Sequence, residues 1–276
     1  APAPSSSTMR TEATWQALQD QPRPTLAELF AADPARAETL SARFDLPDGG
    51  VLFDWSKTHL TGELIETFLS LAEAAGFAQA KRMLFAGEVV NPSEGRAAEH
   101  SALRGVGKDA SVEEAAALRE RMRLLVEAIH QGALGEVRHL IHIGIGGSAL
   151  GPALAVDALA RDLALIDVHV VSNIDGVALE AAFAACDPAT TLVAVASKTF
   201  TTIETMTNAK SALAWLGENG VSDPFGRVIA LTADPDKAVE WGVDETRILP
   251  FAESVGGRYS IWSSICFPGA ARGGWE

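Results

Sequence analysis

The sequence predicts an α/β protein built on a doubly wound parallel sheet, preceded by a mainly helical region. After Gly135, short apolar runs alternate with stretches of helical periodicity, which is the pattern of strands joined by right-handed crossover helices. Two of these runs end in loops rich in glycine or hydroxyl groups, at the strand ends where such sheets bind ligands. Strands are expected at 137–143, 165–171, 191–196, 227–232 and 246–249, and helices at 148–162, 176–185, 201–217 and 235–241.

The chain before this sheet is expected to be helical from residue 11 to 134, after a disordered leader at 1–10. Thr25, followed three residues later by Glu28, is typical of a capping box at a helix start. Apolar residues at spacings of three and four indicate amphipathic helices at 60–75 and 111–130. A short strand is expected near 51–55. The sequence thus predicts a boundary between 134 and 135, with the α/β region extending to 276.

Composition narrows the functional classes. The 276 residues carry a net charge of −14, which argues against a nucleic-acid or anionic-membrane surface. No apolar stretch approaches the ~18–20 residues of a membrane span. The two cysteines and six histidines show no metal-ligand spacing, and we expect reduced thiols and a cytoplasmic location. An anionic substrate would have to be attracted locally, which draws attention to Lys198 and Arg258.

The first ligand-binding candidate is the segment HIGIGGSALGP at residues 142–152. A strand that ends in glycines and continues as a helix presents free backbone N–H groups and the positive helix end to an anion. Ser148 adds a hydroxyl donor and is a natural N-cap for the following helix. The segment therefore predicts an anion loop.

Two other interpretations of this loop stay open at the level of the motif. Residues 144–149 also satisfy G-x-G-x-x-G/A, the dinucleotide fingerprint, which requires an acidic residue at the end of the second strand. That strand ends instead in Ser172 and Asn173, with Asp175 late. A tight turn without a ligand is the other possibility.

A second candidate follows the apolar run 191–196, where Ser197, Lys198, Thr199, Thr201 and Thr202 lie within six residues. Thr201 or Thr202, with Glu204 downstream, could simply cap the next helix. Capping needs only one hydroxyl, however, so the cluster favours phosphate binding.

Two further segments carry polar residues in unusual density. Gly256 and Gly257 free the backbone before Arg258, a permanent cation suited to an anion or to developing oxyanion charge. A salt bridge to Glu253 is the alternative. Residues 91–104 are polar and glycine-containing, and we interpret them as a solvated loop leading into a helix.

Taken together, these segments resemble the glucose-6-phosphate isomerase (phosphoglucose isomerase) family. The matching stretches are EGRAAEH at 94–100, IGIGGSALGP at 143–152, SKTFTTIET at 197–205 and VGGRYSIWS at 255–263, with FDWSK at 53–57 similar to an early strand. The resemblance implies a three-layer α/β/α fold with a five-stranded parallel sheet, the sugar-isomerase (SIS) domain. It also outweighs the dinucleotide interpretation.

The resemblance further implies an activity and a set of site residues. The family interconverts glucose 6-phosphate and fructose 6-phosphate in glycolysis and gluconeogenesis, without a metal or organic cofactor and usually as a homodimer. The residues expected to bind substrate are Ser148, Ser197, Lys198, Thr199 and Thr202 at the phosphate, and Gly147 and Gly257 at the sugar. Arg258 is the catalytic candidate, positioned to stabilise an enediolate.

The sequence also departs from the family. A second SIS domain, the glutamate base, the ring-opening histidine and a C-terminal lysine have no counterpart here, so we expect a truncated chain that is inactive in isolation. Cys266 stands where a small residue is usual, and Arg272, Gly273 and Gly274 should weaken the last helix. The alternative function is a non-catalytic SIS module that binds phosphosugars.

Overall fold

The computed structural model describes residues 6–159, 162 and 164–275. The chain divides into two compact units, the first ending at Arg82 and the second beginning at Met83. The first unit contains an antiparallel hairpin and several helices. Thr25 forms the predicted capping box with Glu28. Its elements are α1 (Ser6–Gln19), α2 (Leu26–Ala32), α3 (Arg36–Thr39), β1 (Ser41–Leu46), β2 (Gly49–Asp54), α4 (Gly62–Ala74) and most of α5 (Phe77–Phe85).

The second unit contains the predicted alternation of strands and helices. Its strands are β3 (His139–Ile143), β4 (Asp167–Val171), β5 (Thr191–Ala196), β6 (Val228–Thr232) and β7 (Ile248–Pro250). Its helices are α6 (Asp109–His130), α7 (Gly147–Ala158), α8 (Gly176–Ala185), α9 (Ile203–Glu218), α10 (Pro235–Trp241) and α11 (Phe267–Gly273). Short 3-10 helices add His100–Arg104, Pro188–Thr190, Phe225–Arg227, Glu245–Arg247, Gly257–Trp262 and Ser264–Cys266.

The five strands pair in the order β4-β3-β5-β6-β7, all parallel. After β3 the chain places β4 on one side and then returns to place β5 on the other. The order therefore reverses between β3 and β5, and ligands of doubly wound sheets bind in the crevice at this point, beyond the carboxyl ends of the strands. The two loops predicted to bind anions follow these same two strands.

Alternate residues of the strands bury opposite faces of the sheet, as the period of two requires. Ile141, Val193 and Val195 pack against α8, α9 and α10 on one face. Leu140 and Leu192 pack against α6 and α11 on the other. The predicted fold class, an α/β/α arrangement around a five-stranded parallel sheet, is confirmed.

The limits of the compact units differ from the boundary expected at residues 134 and 135. Residues 83–134 belong with the sheet because α6 contributes Met122, Val126 and Ile129 to one of its two cores. Residues 6–10 of the expected leader are the start of α1, and residues 1–5 lie outside the described residues. The weakened helix expected near the C-terminus forms as α11 and ends at Gly274, whose φ of +88° glycine adopts easily.

Two smaller findings concern the thiols and the membrane. Cys186 and Cys266 are both free, as expected. Burial raises the pKa of both thiols, that of Cys186 to about 11. Within the described ranges, no helix has the length and apolar character needed to cross a membrane.

Candidate anion-binding and catalytic site

The first loop lies between β3 and α7 and depends on glycine at two places. Gly146 has a φ of +57°, which disfavours any residue with a Cβ. A Cβ on Gly144 would lie 2.7 Å from the backbone oxygen of Ser148. The helix begins at Gly147 with Gly146 as its N-cap, so the expectation that Ser148 caps it is wrong. The Ser148 hydroxyl is half-buried and bonds no other described residue, which leaves it available to a ligand.

The second loop, residues 197–202, leaves β5 in a strained conformation. Phe200 has a φ of +55°, alone among the described residues other than glycine, and its ring is buried against Trp241. Such strain costs of order ~1–3 kcal/mol, and is usually found where a loop is shaped for a ligand. The loop's hydroxyls bond one another: Ser197 with Thr202 at 2.9 Å, and Thr201 with Thr199 at 2.7 Å.

The same loop presents unused backbone donors. In the described part of the chain, the amides of Lys198, Thr199, Thr201 and Thr202 have no hydrogen-bond acceptor. Thr202 is the N-cap of α9, but its side chain makes no capping bond. The capping alternative is therefore right about the position of Thr202 and wrong about a capping bond. The loop combines free amides, hydroxyls and a helix N-terminus in the way that anion sites do.

The third segment, residues 253–262, touches the first loop through two glycines. A Cβ on Gly147 would lie 2.3 Å from the carbonyl carbon of Gly257 and 2.4 Å from its oxygen. One turn further on, a Cβ on Gly151 would lie 3.2 Å from the Cβ of Ile261. Backbone contact between α7 and the 3-10 helix Gly257–Trp262 thus places Arg258 next to the start of α7.

Lys198 connects the second loop to this third segment. Its ammonium donates to the carbonyl oxygen of Glu253 at 2.6 Å and to that of Val255 at 3.5 Å. Burial lowers its pKa, as does the nearby positive charge of Arg96 to a smaller extent. The Lys198 backbone is held by β6, because its carbonyl accepts from the Thr232 hydroxyl at 3.1 Å and from the amide of Ala233 at 3.0 Å.

Residues that the sequence analysis set aside as a solvated loop support the same segment. The Arg96 guanidinium contacts the carboxylate and the carbonyl of Glu253, at 3.4 and 3.3 Å. His100 accepts the amide of Gly256 at 2.7 Å through Nε2 and packs edge-on against Tyr259. Both residues lie in the stretch 94–100, and its similarity to the family motif was the feature of the sequence that could have predicted their role.

Arg258 itself is exposed and makes no ion pair or hydrogen bond within residues 6–159, 162 and 164–275. Because Glu253 pairs with Arg96, the alternative of a salt bridge between Glu253 and Arg258 is wrong. The guanidinium is thus exposed beside the start of α7 and is not paired with any described residue. It can bind an anionic substrate without first breaking a contact with these residues.

His142, in the strand that precedes the first loop, holds the backbone of that loop in place. It is fully buried in β3, and its Nε2 lies 2.7 Å from the carbonyl oxygen of Ser148, to which it donates in the neutral form. Burial lowers its pKa from 6.5 to about 4. The neutral ring therefore fixes the backbone of the loop that carries Ser148.

We expect His142 to make stability depend on pH. Since its pKa is lower in the folded than in the unfolded chain, stability should fall as the pH drops from about 6.5 to about 4, by roughly 3 kcal/mol from this residue. His142→Gln, which keeps an N–H donor for Ser148, should reduce that fall. Urea unfolding across this pH range measures it, with the exposed His59→Gln as control. An unchanged pH dependence in His142→Gln would contradict the assignment.

The dinucleotide alternative for the first loop requires an acidic side chain at the end of β4, and the structure does not place one there. Asp175 accepts the amide of Val177 at 3.0 Å and is the N-cap of α8. Asn173 accepts from Asn208 of α9 at 2.7 Å through its carbonyl. Neither position offers a carboxylate at the end of β4, where a ribose would need one.

Comparisons with known proteins show what this chain is similar to. The family described as phosphoglucose isomerase matches residues 54–276. A glucose-6-phosphate isomerase of Novosphingobium aromaticivorans is 67% identical over 265 residues, covering 96% of this chain and 52% of that protein. One from Zymomonas mobilis is 54% identical, with the same coverage. The crystal structure of a glucose-6-phosphate isomerase from Chlamydia trachomatis superimposes with a TM-score of 0.79 at 21% identity, covering 95% of this chain and 52% of that one.

The chain spans about half the length of the curated relatives it matches. Within that half, the family match runs through all three loops of the site. The chain belongs to the phosphoglucose isomerase family.

Proposed function

We propose that this chain forms the phosphate-binding and enediolate-stabilising part of a glucose-6-phosphate isomerase, which interconverts glucose 6-phosphate and fructose 6-phosphate. The observation that carries the proposal is the convergence of three loops at the reversal of the sheet. The first offers the Ser148 hydroxyl, the second offers hydroxyls and free amides, and the third offers an arginine that pairs with no other described residue. Membership of the family supplies the reaction.

The substrate phosphate would bind between the first and second loops. Ser148, Ser197, Thr199 and Thr202 would donate hydroxyl hydrogen bonds, and the free amides of Lys198, Thr199, Thr201 and Thr202 would add backbone donors. The Lys198 ammonium has three donors and uses two of them on carbonyls, so one donor and the full charge remain for the phosphate. The phosphate grip would hold the far end of the substrate and supply binding energy for orientation.

The reacting end of the sugar would lie beside Gly147, Gly257 and Arg258. Moving a proton between C2 and C1 of the open-chain sugar passes through an enediolate, whose oxyanion is stabilised by a positioned cation. Arg258 fits this role because its guanidinium is unpaired and always charged. We assign no general base among these residues, and none of the described contacts provides one beside Arg258.

A second candidate function is a non-catalytic module that binds phosphosugars. It would use the same phosphate loops and leave Arg258 without a chemical step to assist. The free Arg258 guanidinium favours the isomerase, since phosphate binding alone is already served by the other loops.

Lys198→Ala tests the phosphate site. In the whole enzyme that carries this sequence, we expect KM for fructose 6-phosphate to rise at least tenfold with a smaller change in kcat, because the phosphate is bound equally in the ground and transition states. A coupled assay that reduces NADP as glucose 6-phosphate forms measures both constants. Lys210→Ala, an exposed lysine on α9, is the matched control and should leave both unchanged. An unchanged KM in Lys198→Ala would contradict the assignment, and absence of turnover in the unmodified enzyme would favour the binding module.

A further inference from the structure

Two histidines and a cysteine converge near the amino end of the sheet, away from the three loops. His139 is the first residue of β3, His169 lies in β4, and Cys186 is the C-cap of α8. The ligating atoms of the three side chains all lie within 4.8 Å of one another. The centroids of the His139 and His169 rings are 6.4 Å apart. At these separations, small side-chain movements would let all three ligating atoms bind one metal ion.

The register of the sheet explains why the two rings meet. His139 pairs with Asp167, and side chains two residues apart on a strand share a face. His139, Asp167 and His169 therefore lie on the same face, which is covered by α8. Cys186 completes the group from the end of that helix, where it is 9% exposed beside Leu179 and Ala182.

One nitrogen of the cluster lacks a partner among the residues that the structure describes. The Nδ1 atom of His139 is buried and makes no hydrogen bond with any of them. A buried polar atom without a partner costs free energy, typically ~1–3 kcal/mol, and its presence in a native structure calls for an explanation. The apolar neighbours of Cys186 would favour hydrophobic side chains at these positions, yet two imidazoles stand there. A bound ion would account for both observations.

We propose that His139, His169 and Cys186 bind a divalent transition-metal ion of the zinc type. Two imidazole nitrogens and one sulfur suit Zn²⁺ and related ions, and do not suit Mg²⁺ or Ca²⁺, which require oxygen ligands. The exposed carboxylate of Asp167 is not one of the clustered ligand atoms, so we expect a water to fill the fourth position. The Thr191 hydroxyl donates to the carbonyl oxygen of Asp187 at 2.6 Å and so holds the backbone directly after Cys186.

The role that this position supports is structural. β4 is an edge strand that pairs only with β3. A metal held by β3, β4 and the end of α8 would fasten this edge to the rest of the sheet. The ligands lie at the opposite end of β3 from the anion loop, so the ion would take no part in the sugar chemistry.

Cobalt binding tests the site on the untagged, purified protein after treatment with a chelator. Titration with Co²⁺ should produce visible bands of tetrahedral coordination and a sulfur-to-cobalt charge-transfer band that saturate at one equivalent. Zn²⁺ should displace the cobalt and raise the melting temperature. Absence of a charge-transfer band in the unmodified protein would overturn the proposal.

Variants identify the ligands. Cys186→Ser should abolish the charge-transfer band, and His139→Gln and His169→Gln should each weaken Zn²⁺ binding by more than the ~10–100-fold typical of an outer-shell loss. Cys266→Ser and His59→Gln are controls and should bind like the unmodified protein. A band that persists in Cys186→Ser or disappears in Cys266→Ser would refute the site. Should Cys186→Ser fail to fold by circular dichroism, His169→Gln decides, since unchanged affinity there would also refute it.

Discussion

Replacing Arg258 by alanine should lower kcat of the whole enzyme by about 10²–10³-fold, equivalent to ~3–4 kcal/mol of transition-state stabilisation. The physical reason is that the guanidinium pairs with no other residue that the structure describes, so its main partner would be the charge that develops on the enediolate. KM should change far less, because the proposed phosphate site lies on the other two loops. Steady-state kinetics in both directions of the isomerisation measure this split between kcat and KM.

A control variant at a second exposed arginine distinguishes the effect of losing a charge at the site from the effect of losing a charge elsewhere on the protein. Arg138 is exposed and pairs with Glu136 just before β3, at the opposite end of that strand from the first loop. Arg138→Ala should leave kcat and KM within about twofold. Arg258→Lys should recover part of the lost rate, since it restores the charge without the planar donors. If Arg258→Ala raised KM and spared kcat, Arg258 would be a substrate-binding residue instead.

Gly147→Ala should destabilise the protein and disrupt its site together. The new Cβ would lie 2.3 Å from the carbonyl carbon of Gly257 and 2.6 Å from its Cα, and backbone atoms cannot give way as a flexible side chain can. We expect the free energy of unfolding to fall by about 2–3 kcal/mol, the cost of overpacking. Because Arg258 follows Gly257 directly, the same displacement should reduce kcat. Urea unfolding and the coupled assay measure the two effects.

Gly176→Ala is the control for this prediction. Gly176 is also the first residue of a helix, α8, but a Cβ there would have no atom within 4 Å. Alanine at this position should leave activity unchanged and stability equal or higher by up to about 1 kcal/mol, the usual gain in a helix. Equal stability of the two variants would show that the contact between Gly147 and Gly257 is not constrained as described.

The local pattern of apolar and polar residues was sufficient to predict the helices and strands of the sheet region and two of the three loops. The apolar run at 191–196 is β5, and the helical stretches at 176–185 and 235–241 are α8 and α10 at the expected residues. A strand or helix buried in a doubly wound sheet must carry its apolar residues at a fixed period, so its own residues reveal it. The hydroxyl-rich loop at 197–202 was equally readable, because its donors are consecutive in the sequence.

Caps and boundaries were less predictable. Ser148 has a good capping side chain, yet the helix begins one residue earlier, at Gly147, and Gly146 is its cap. The close approach of Gly257 to Gly147 then excludes any side chain at the first helical position. Helix α6 looked like part of a separate helical region, but its apolar side packs on the sheet. Periodicity shows that a helix has a buried face and does not show what covers it.

The sequence by itself therefore determined the fold class, the order of its elements and the location of the glycine-rich and hydroxyl-rich loops. Only the tertiary structure decided which partner each charged or polar side chain takes. Arg96 takes Glu253, which leaves Arg258 free, and His139 meets Cys186 although the two are far apart in the chain. These pairings depend on which strands are neighbours and in what register. That arrangement is set by the packing of the whole sheet, and no local stretch of sequence contains it.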